Sequence, residues 1–251
     1  MKKTHIITAL TLTLSAVAEN AEAHLIAHWQ LDEGIGNIVK DSSGNNHNGE
    51  IFKLGEYAKW VPGKYGYALN FPSTEEKGGN NSGSGYVLFK NMPTEFPKGL
   101  TINTWIKLNE SCNKEKFRGV GFHEIVSNAK THIGPGFSFT LFYKSLLFRS
   151  GNGKEYQNAM SNRELTEIPN EIWLNIVAVY DPEKSTSTVY LNGMKVGENK
   201  EQFELTKGLD SWTVGAFLAG YVPLDGAIDE MKIYDFPMSA SAILEYYNKN
   251  R

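Results

Sequence analysis

The chain has 251 residues and a formal net charge of -3, a balance that gives no basis for binding nucleic acid or an anionic membrane surface. It contains a single cysteine, Cys112, which excludes an intrachain disulfide and leaves the core, with or without a metal ion, to stabilise the fold. The length suits one all-β domain, because β-sandwiches commonly reach this size.

The N-terminal segment, residues 1–23, has the pattern of a signal peptide. Lys2 and Lys3 precede Ile6–Val17, a mildly apolar run that is too short to span a bilayer. The segment ends in Ala-Glu-Ala, which fits the small-x-small cleavage rule. We therefore expect cleavage near Ala23 and a secreted or periplasmic mature domain, residues 24–251, without a transmembrane segment.

Strand patterns follow in chain order. Leu25–Leu31 and Leu100–Leu108 alternate apolar and polar residues, which is typical of half-buried strands. Phe137–Phe142 and Leu146–Arg149 are predicted to pair with each other. Trp173–Tyr180 is almost continuously apolar, as expected of a strand covered on both faces.

The end of the chain predicts a hairpin and one helix. Asn192-Gly193 lies between two strand patterns and favours a type I′ turn, because both central positions need a positive φ. Ser239 can cap a helix whose start is marked by Met238 and Ile243 at hydrophobic-staple spacing. Many short strands and almost no helix predict a β-sandwich.

The strand pattern Ala227–Tyr234 is unusual because it contains a carboxylate. Period-2 alternation places Asp229 on the same face as the apolar Met231 and Ile233. A buried carboxylate is costly unless it is hydrogen-bonded, paired or bound to a metal.

Seven segments, taken in this order, resemble the laminin-G-like jelly roll of the concanavalin A-like lectin and glucanase superfamily. They are Ala27–Gly34, Asp41–Asn45, Gly66–Phe71, Leu100–Ile106, Trp173–Asp181, Val189–Gly193 and Gly226–Tyr234. The resemblance implies an all-β fold of two antiparallel sheets, a two-sheet jelly-roll sandwich, followed here by a short C-terminal helix. One sheet of this family is concave and often binds carbohydrate. Because one fold hosts many functions, the resemblance specifies the fold more closely than the activity.

The resemblance also implies a structural calcium ion where the first and last strands meet. Asp229 would supply a side-chain ligand, and oxygen-rich segments near Asp32, Gly34, Asp41 and Asn46 would supply the others. Hard cations take such carboxylate, carbonyl and water oxygens. The alternative is that Asp229 accepts backbone N–H bonds at a strand end and that Asp41 begins an ordinary turn.

Carbohydrate sites combine aromatic faces with groups that hydrogen-bond hydroxyls. Asn103, Trp105 and Lys107 share one face of their strand, opposite its apolar residues, and we expect them to line a concave wall. Tyr143 is a further candidate in a predicted loop. The alternative for Trp105 is core packing, which is the commoner role of a tryptophan in a sandwich strand.

No Glu-x-Asp-x-Glu or Glu-x-Asp-x-x-Glu strand of the jelly-roll glucanases occurs in the chain. Because glycan hydrolysis normally needs two carboxylates, we expect a protein that binds a polysaccharide or glycoconjugate without catalysis of its own. Two alternatives stay open. One is a polysaccharide lyase or glycoside hydrolase with a divergent site on the same fold, and the other is a protein-binding adhesion module.

Overall fold

The computed structural model describes residues 25–72, 84–113, 121–143, 145–162, 168–201 and 204–251. The predicted signal peptide lies outside the described residues. Among the described helices, none is long and apolar enough to cross a membrane.

Sixteen strands and one α-helix form the described part of the chain. In chain order they are β1 (Leu25–Trp29), β2 (Ile38–Val39), β3 (Gly49–Phe52), β4 (Lys59–Pro62), β5 (Tyr67–Phe71), β6 (Tyr86–Phe89), β7 (Leu100–Leu108), β8 (Phe122–Ser127), β9 (Gly136–Phe142), β10 (Ser145–Gly151), β11 (Tyr156–Met160), β12 (Leu174–Asp181), β13 (Thr186–Leu191), β14 (Met194–Asn199), β15 (Trp212–Val214), β16 (Gly226–Tyr234) and α1 (Ala240–Asn250). Two short 3₁₀ turns lie at Glu110–Asn113 and Leu218–Gly220.

The strands make two antiparallel sheets of eight strands each, which confirms the predicted jelly-roll sandwich. Sheet I has the order β14-β13-β12-β7-β16-β5-β4, with β1 also paired to β16. Sheet II has the order β11-β10-β9-β8-β15-β6-β3-β2. Neighbouring strands are therefore distant in sequence at several places, as in β7 beside β16.

The hydrophobic core lies between the two sheets. On β7, Ile102, Ile106 and Leu108 belong to this core, as the alternation predicted, so Asn103 and Trp105 point to the outer face of sheet I. On β12, Val177 and Val179 belong to a second cluster, which packs against Ile243 of α1. Sheet I is thus covered on both faces, which explains the nearly continuous apolar sequence of β12.

The hairpin and the helix form where the sequence predicted them. Asn192 and Gly193 have φ values of 49° and 79°, and the strands that they join pair directly through Leu191 and Met194. Ser239 has extended backbone, and its hydroxyl accepts a hydrogen bond from the N–H of Ala242 at 3.3 Å, as expected of an N-cap.

A β-bulge in β16 overturns the predicted position of Asp229. The register with β7 shifts between Asp229 and Lys232, and Glu230 adopts a φ of 51°. The bulge inserts an extra residue and reverses the alternation, so Met231 and Ile233 face the core while Asp229 lies opposite Trp105 on the outer face.

Candidate functional site

The outer face of sheet I does not form the open wall that the sequence predicted. Trp105 is 2% exposed, because the ring of Tyr247 in α1 lies 6.1 Å away and the ammonium of Lys64 lies 4.7 Å from the indole centroid. The predicted role of Trp105 as an exposed sugar platform is therefore wrong. The physical reason is tertiary: the C-terminal helix packs over this face.

The two polar neighbours of Trp105 on β7 are also occupied. Asn103 is buried, and its Oδ1 accepts a hydrogen bond at 2.7 Å from Nδ2 of Asn175 on β12. Lys107 is partly exposed, and its ammonium lies 5.4 Å from the ring centroid of Trp173. The burial of Asn103 excludes an open carbohydrate contact, so Asn103 is corrected together with Trp105, whereas the role of the partly exposed Lys107 stays a prediction.

The predicted calcium residues fall into two groups, of which the first surrounds the turn between β4 and β5. Oδ2 of Asp229 accepts the backbone N–H groups of Lys64 at 2.7 Å and Tyr65 at 3.0 Å. Oδ1 of Asp32 accepts the N–H of Tyr67 at 2.8 Å, and Gly34 lies against the ring of Tyr67. One short turn thus holds both carboxylates.

This first group fits a cation in its donor chemistry. Oδ1 of Asp229 is buried and has no hydrogen-bond partner, and Oε2 of Glu33 is in the same condition. The pKa of Asp229 is raised to about 7, chiefly by burial and to a smaller extent by the charges of Glu230 and Asp32, against the opposing effect of the two backbone hydrogen bonds. A cation beside Asp32 and Asp229 would offset this unfavourable burial of negative charge.

The second group does not fit a metal ion. Asp41 accepts four hydrogen bonds, from the N–H groups of His28, Ser43 and His47 and from the Ser43 hydroxyl, at distances of 2.8 to 3.0 Å. Burial raises the pKa of Asp41, but these bonds outweigh it and hold the pKa below its usual value. Asn46 already accepts a hydrogen bond from Asn48. This segment is the ordinary turn that the alternative interpretation described.

Within the described ranges, no group of three or more His, Cys, Asp or Glu side chains has the arrangement of a metal site. A cation bound by the first group would therefore have two carboxylates as side-chain ligands, together with backbone or water oxygens. This is a donor set that calcium accepts.

A pocket of about 530 Å³ opens on the outer face of sheet II. On β9, Phe137, Phe139 and Leu141 face the core, so alternation turns Ser138 and Thr140 outward into the pocket. Strands β8 and β10 supply the rest of its floor, and the loop between β15 and β16 forms one wall. The aromatic and polar residues that line it include Phe122, Glu124, Ser138, Arg149, Phe217 and Tyr221.

Glu124 is a buried carboxyl group at the bottom of this pocket. The hydroxyl of Ser138 lies 2.7 and 2.9 Å from its two oxygens. Burial raises the pKa of Glu124 to about 8, against the opposing effects of Ser138 and the positive charge of Arg149. A carboxyl group of this kind is uncharged near neutral pH and can donate a proton in a hydrogen bond.

Arg149 lies in the same pocket and is held in place from several sides. Its Nε donates to Oδ1 of Asn158 at 3.1 Å, and its Nη1 donates to the carbonyl of His132 at 3.2 Å. The guanidinium lies 5.1 Å from the ring centroid of Phe122 and 4.7 Å from that of Tyr156. These contacts fix the orientation of a group that recognises anions through planar pairs of hydrogen bonds.

Tyr143, the fourth predicted carbohydrate residue, lies beside this pocket. Its ring is 4.6 Å from that of Phe142, which in turn lies 4.5 Å from the pocket residue Phe122. Tyr143 is 48% exposed and therefore extends the aromatic surface around the pocket. Tyr143 does not itself line the pocket, and its role in carbohydrate binding stays a prediction.

The sequence reasoning missed Glu124 and Arg149. The polar positions Ser138 and Thr140 within an otherwise aromatic strand were a signal that β9 has a polar outer face. Glu124 gave no such signal, because a bulge in β8 between Glu124 and Val126 breaks the alternation.

Three solved structures have a fold similar to that of this chain. The chain matches the binding domain of Paraclostridial Mosquitocidal Protein 1 with a TM-score of 0.68 and 17% identity, covering 91% of this chain and 53% of that one. It matches the botulinum neurotoxin serotype D binding domain with a TM-score of 0.67 and 12% identity, covering 93% and 52%. For the serotype C1 binding domain the values are 0.67, 16%, 92% and 53%.

The chain therefore spans about half the length of these toxin domains, and at such low identity the likeness establishes the fold. A comparison with curated proteins finds no match. A family model matches residues 81–244, which is more than half of the sequence. The chain belongs to the Laminin_G_3 family of the concanavalin A-like lectin/glucanases superfamily.

Proposed function

We propose that this chain is an exported domain that binds a polysaccharide or glycoconjugate in the pocket on the outer face of sheet II. The observation that carries the proposal is the combination of buried polar groups and aromatic rings in one open cavity, around Glu124, Ser138, Arg149 and Tyr221. Export rests on the N-terminal sequence pattern, with its basic, apolar and small-residue segments in order.

The physical requirements of sugar binding support this assignment. A sugar ring presents apolar C–H faces and a rim of hydroxyl groups, so its site needs aromatic surface and a few fixed polar partners. Tyr221 is 42% exposed and lines this pocket, and Tyr156 is 47% exposed with its ring centroid 4.7 Å from the guanidinium of the pocket residue Arg149. Ser138 and Thr140 supply hydroxyl groups on the floor.

The structural neighbours agree with a binding role. The serotype D ligand-binding domain was solved in complex with N-acetylneuraminic acid, and a structure of the type C toxin is described by its dependence on two ganglioside molecules. These ligands are bound by longer proteins. The assignment of the pocket in this chain depends on its own residues.

A glycan array followed by titration calorimetry tests the proposal. Tyr156→Ala and Tyr221→Ala should each weaken binding of the best array ligand by about 1–3 kcal/mol, because a buried aromatic contact contributes this much at a binding site. Met194→Ala, which removes an exposed apolar side chain from sheet I, should leave affinity unchanged. A glycan array on which nothing binds, or wild-type affinity in both tyrosine variants, would contradict a glycan site in this pocket.

We also propose structural calcium held by Asp32 and Asp229, with further oxygens from the Gly34 segment. The unpartnered Oδ1 of Asp229 and the two carboxylates held by one turn support this assignment. Calcium would supply positive charge at a point where β1 and β5 both approach β16.

An enzymatic function is the second candidate, because Glu124 has the raised pKa of a proton donor inside a pocket. Among the described pocket residues it is the one carboxyl group, whereas hydrolysis normally requires two. Elimination chemistry remains compatible with Arg149, His132 and Tyr221 around it. Incubation with alginate, laminarin, carrageenan and pectin should release no reducing ends and no unsaturated uronate; release that disappears in Glu124→Gln would establish the enzyme.

A further inference from the structure

We propose that the pocket on the outer face of sheet II selects acidic glycans, and that the guanidinium of Arg149 pairs with a sugar carboxylate. The inference rests on the proposed function and names the ligand class of that same site. It comes from the arrangement of charge in the pocket.

Arg149 has more hydrogen-bond donors than its contacts within the protein use. A guanidinium carries five N–H groups, and the hydrogen bonds of Arg149 to Asn158 and His132 use two of them. Within the described residues, both N–H groups of Nη2 remain without a hydrogen bond. Because the group is already oriented by two hydrogen bonds and two rings, a ligand that uses these donors loses little side-chain entropy.

Arg149 has no counter-charge at ion-pair distance among the residues that the structure describes. Among the described residues, the titratable groups that line the pocket or contact Arg149 are Glu124 from β8, His132 from the loop before β9, Tyr156 from β11 and Tyr221 from the β15–β16 loop. None of these is a carboxylate at ion-pair distance from the guanidinium.

Glu124 faces the same cavity as Arg149. Its raised pKa of about 8 leaves the group uncharged at neutral pH. The pocket therefore presents the positive charge of Arg149 beside a neutral carboxyl group. The rings of Phe122 and Tyr156 lie against this charge, and the lower local dielectric beside them strengthens its attraction for an anion.

A carboxylate suits this site better than a neutral hydroxyl group, because two parallel N–H···O bonds match the planar guanidinium. Sulfate esters share the negative charge but present tetrahedral oxygens. Uronate and sialate sugars present the carboxylate directly on the ring that would lie against Tyr156 or Tyr221. The experiment must therefore separate carboxylate, sulfate and neutral sugars.

Titration calorimetry with matched sugars provides the test. The probes are galacturonate trimer and its methyl ester, sialyllactose and lactose, and a sulfated carrageenan oligosaccharide. At pH 7 we expect at least one carboxylate form to bind roughly tenfold or more tightly than its neutral partner, a difference typical of one charge-assisted contact. The carrageenan should bind more weakly than that acid.

Two variants and one control locate the effect. Arg149→Gln should remove the preference for the acid, and Arg149→Lys should retain part of it because the charge stays while the planar fork is lost. Lys195→Gln removes an exposed charge from sheet I and should retain the full preference. Circular dichroism melts show that each variant is folded, and the acid-against-ester comparison in the wild type needs no variant.

The pH dependence adds a readout that a structural role of Arg149 would not produce. As Glu124 ionises above about pH 8, it adds a negative charge beside the ligand, so affinity for the acid should fall between pH 7 and 9. Glu124→Gln should flatten this profile. Equal binding of acids and esters, with Arg149→Gln unchanged, would overturn the acidic-glycan inference and leave the proposed function intact. Failure of every probe and every array glycan would overturn both.

Discussion

On the outer face of sheet I, Trp105 lies beneath α1 and the ammonium of Lys64, whereas on the outer face of sheet II Arg149 lies in an open pocket. Both faces carry the same kinds of side chain, namely aromatic rings, polar groups and a cation. In both cases strand alternation turns these side chains away from the core. The faces differ in what covers them.

The cover on sheet I is the C-terminal helix, which packs Ile243 against Val177 and Val179 of β12. It converts polar and aromatic side chains into a second, structural layer. Sheet II has no such helix over its β8–β10 floor in the part of the chain that the structure describes. An aromatic residue on the outer face of a strand can contact a ligand only where no other element packs over it.

The largest expected effect tests the covered face. Trp105→Ala should destabilise the protein by about 3–5 kcal/mol, because the substitution leaves a cavity under α1 that the packed elements cannot fill. Trp173→Ala should cost less, since this ring is partly exposed. Urea unfolding followed by circular dichroism measures both. A Trp105→Ala protein of wild-type stability that has lost glycan binding would reverse the assignment of the two faces.

The second prediction asks whether a metal ion also fixes the covered face. A ligand that binds the folded state alone contributes about 2.7 kcal/mol at a hundredfold excess over its Kd. Calcium should therefore raise the melting temperature, EDTA should lower it, and Asp229→Ala should abolish the difference. Because protons compete for Asp229, whose metal-free pKa is about 7, the calcium effect should shrink below that pH.

Asp41→Ala is the matched control for this prediction. It removes four hydrogen bonds and should destabilise the protein by about 1–3 kcal/mol whether or not calcium is present. Identical melting curves of metal-free protein with and without calcium would remove calcium from the description. Loss of the calcium response in Asp41→Ala would return this residue to the ligand set.

The third prediction concerns the open face and the pH dependence of stability. The pKa of Glu124 is raised from 4.5 to about 8 on folding, so the folded state retains a proton that the unfolded state releases. The contribution of Glu124 to stability is therefore fully present below pH 4.5 and decreases as the pH rises to 8. Glu124→Gln lacks this titration, and its stability relative to wild type should increase by about 2 kcal/mol between about pH 5 and about pH 6.5, because each pH unit in this window costs the wild type about 1.4 kcal/mol.

Urea unfolding of both proteins at several pH values checks this difference. Parallel stability curves for wild type and Glu124→Gln would mean that Glu124 is ionised and solvated in the pocket. In that case its negative charge would partly neutralise Arg149, and the preference for acidic glycans would lose its electrostatic basis.

The sequence predicted the elements that local patterns determine. The alternation of β7, the continuous apolar run of β12, the Asn192-Gly193 turn and the Ser239 cap are all confirmed, because each depends on neighbouring residues. The outward direction of Trp105 was also predicted correctly. Its burial was not, because burial depends on where a helix more than a hundred residues later packs.

The candidate site depended on information that neighbouring residues do not contain. The bulges at Asp229 and Glu124 change the alternation through strand pairing with distant partners. The raised pKa of Glu124 comes from burial beneath a loop nearly a hundred residues away. Arg149 ends a strand that the sequence predicted, but its contacts with Phe122 and His132 exist only in the folded sheet.

The smallest predicted effect concerns the end of the helix that covers sheet I. Ser239→Ala removes the N-cap hydrogen bond to the Ala242 N–H and should cost about 1 kcal/mol. Ser241→Ala is the matched control, because this serine lies in the first turn and its hydroxyl contacts the Ser239 hydroxyl at 3.0 Å, so its loss leaves the N-cap bond to Ala242 in place and should cost less. Hydrogen exchange should show faster exchange in the first turn of α1 in Ser239→Ala and not in Ser241→Ala. A second glycan-binding site around Trp105 in Ser239→Ala would mean that the covering helix alone makes the two faces different. An unchanged binding stoichiometry would mean that the side chains of sheet I, where Asn103 and Asn175 are hydrogen-bonded to each other, are themselves unsuited to a sugar.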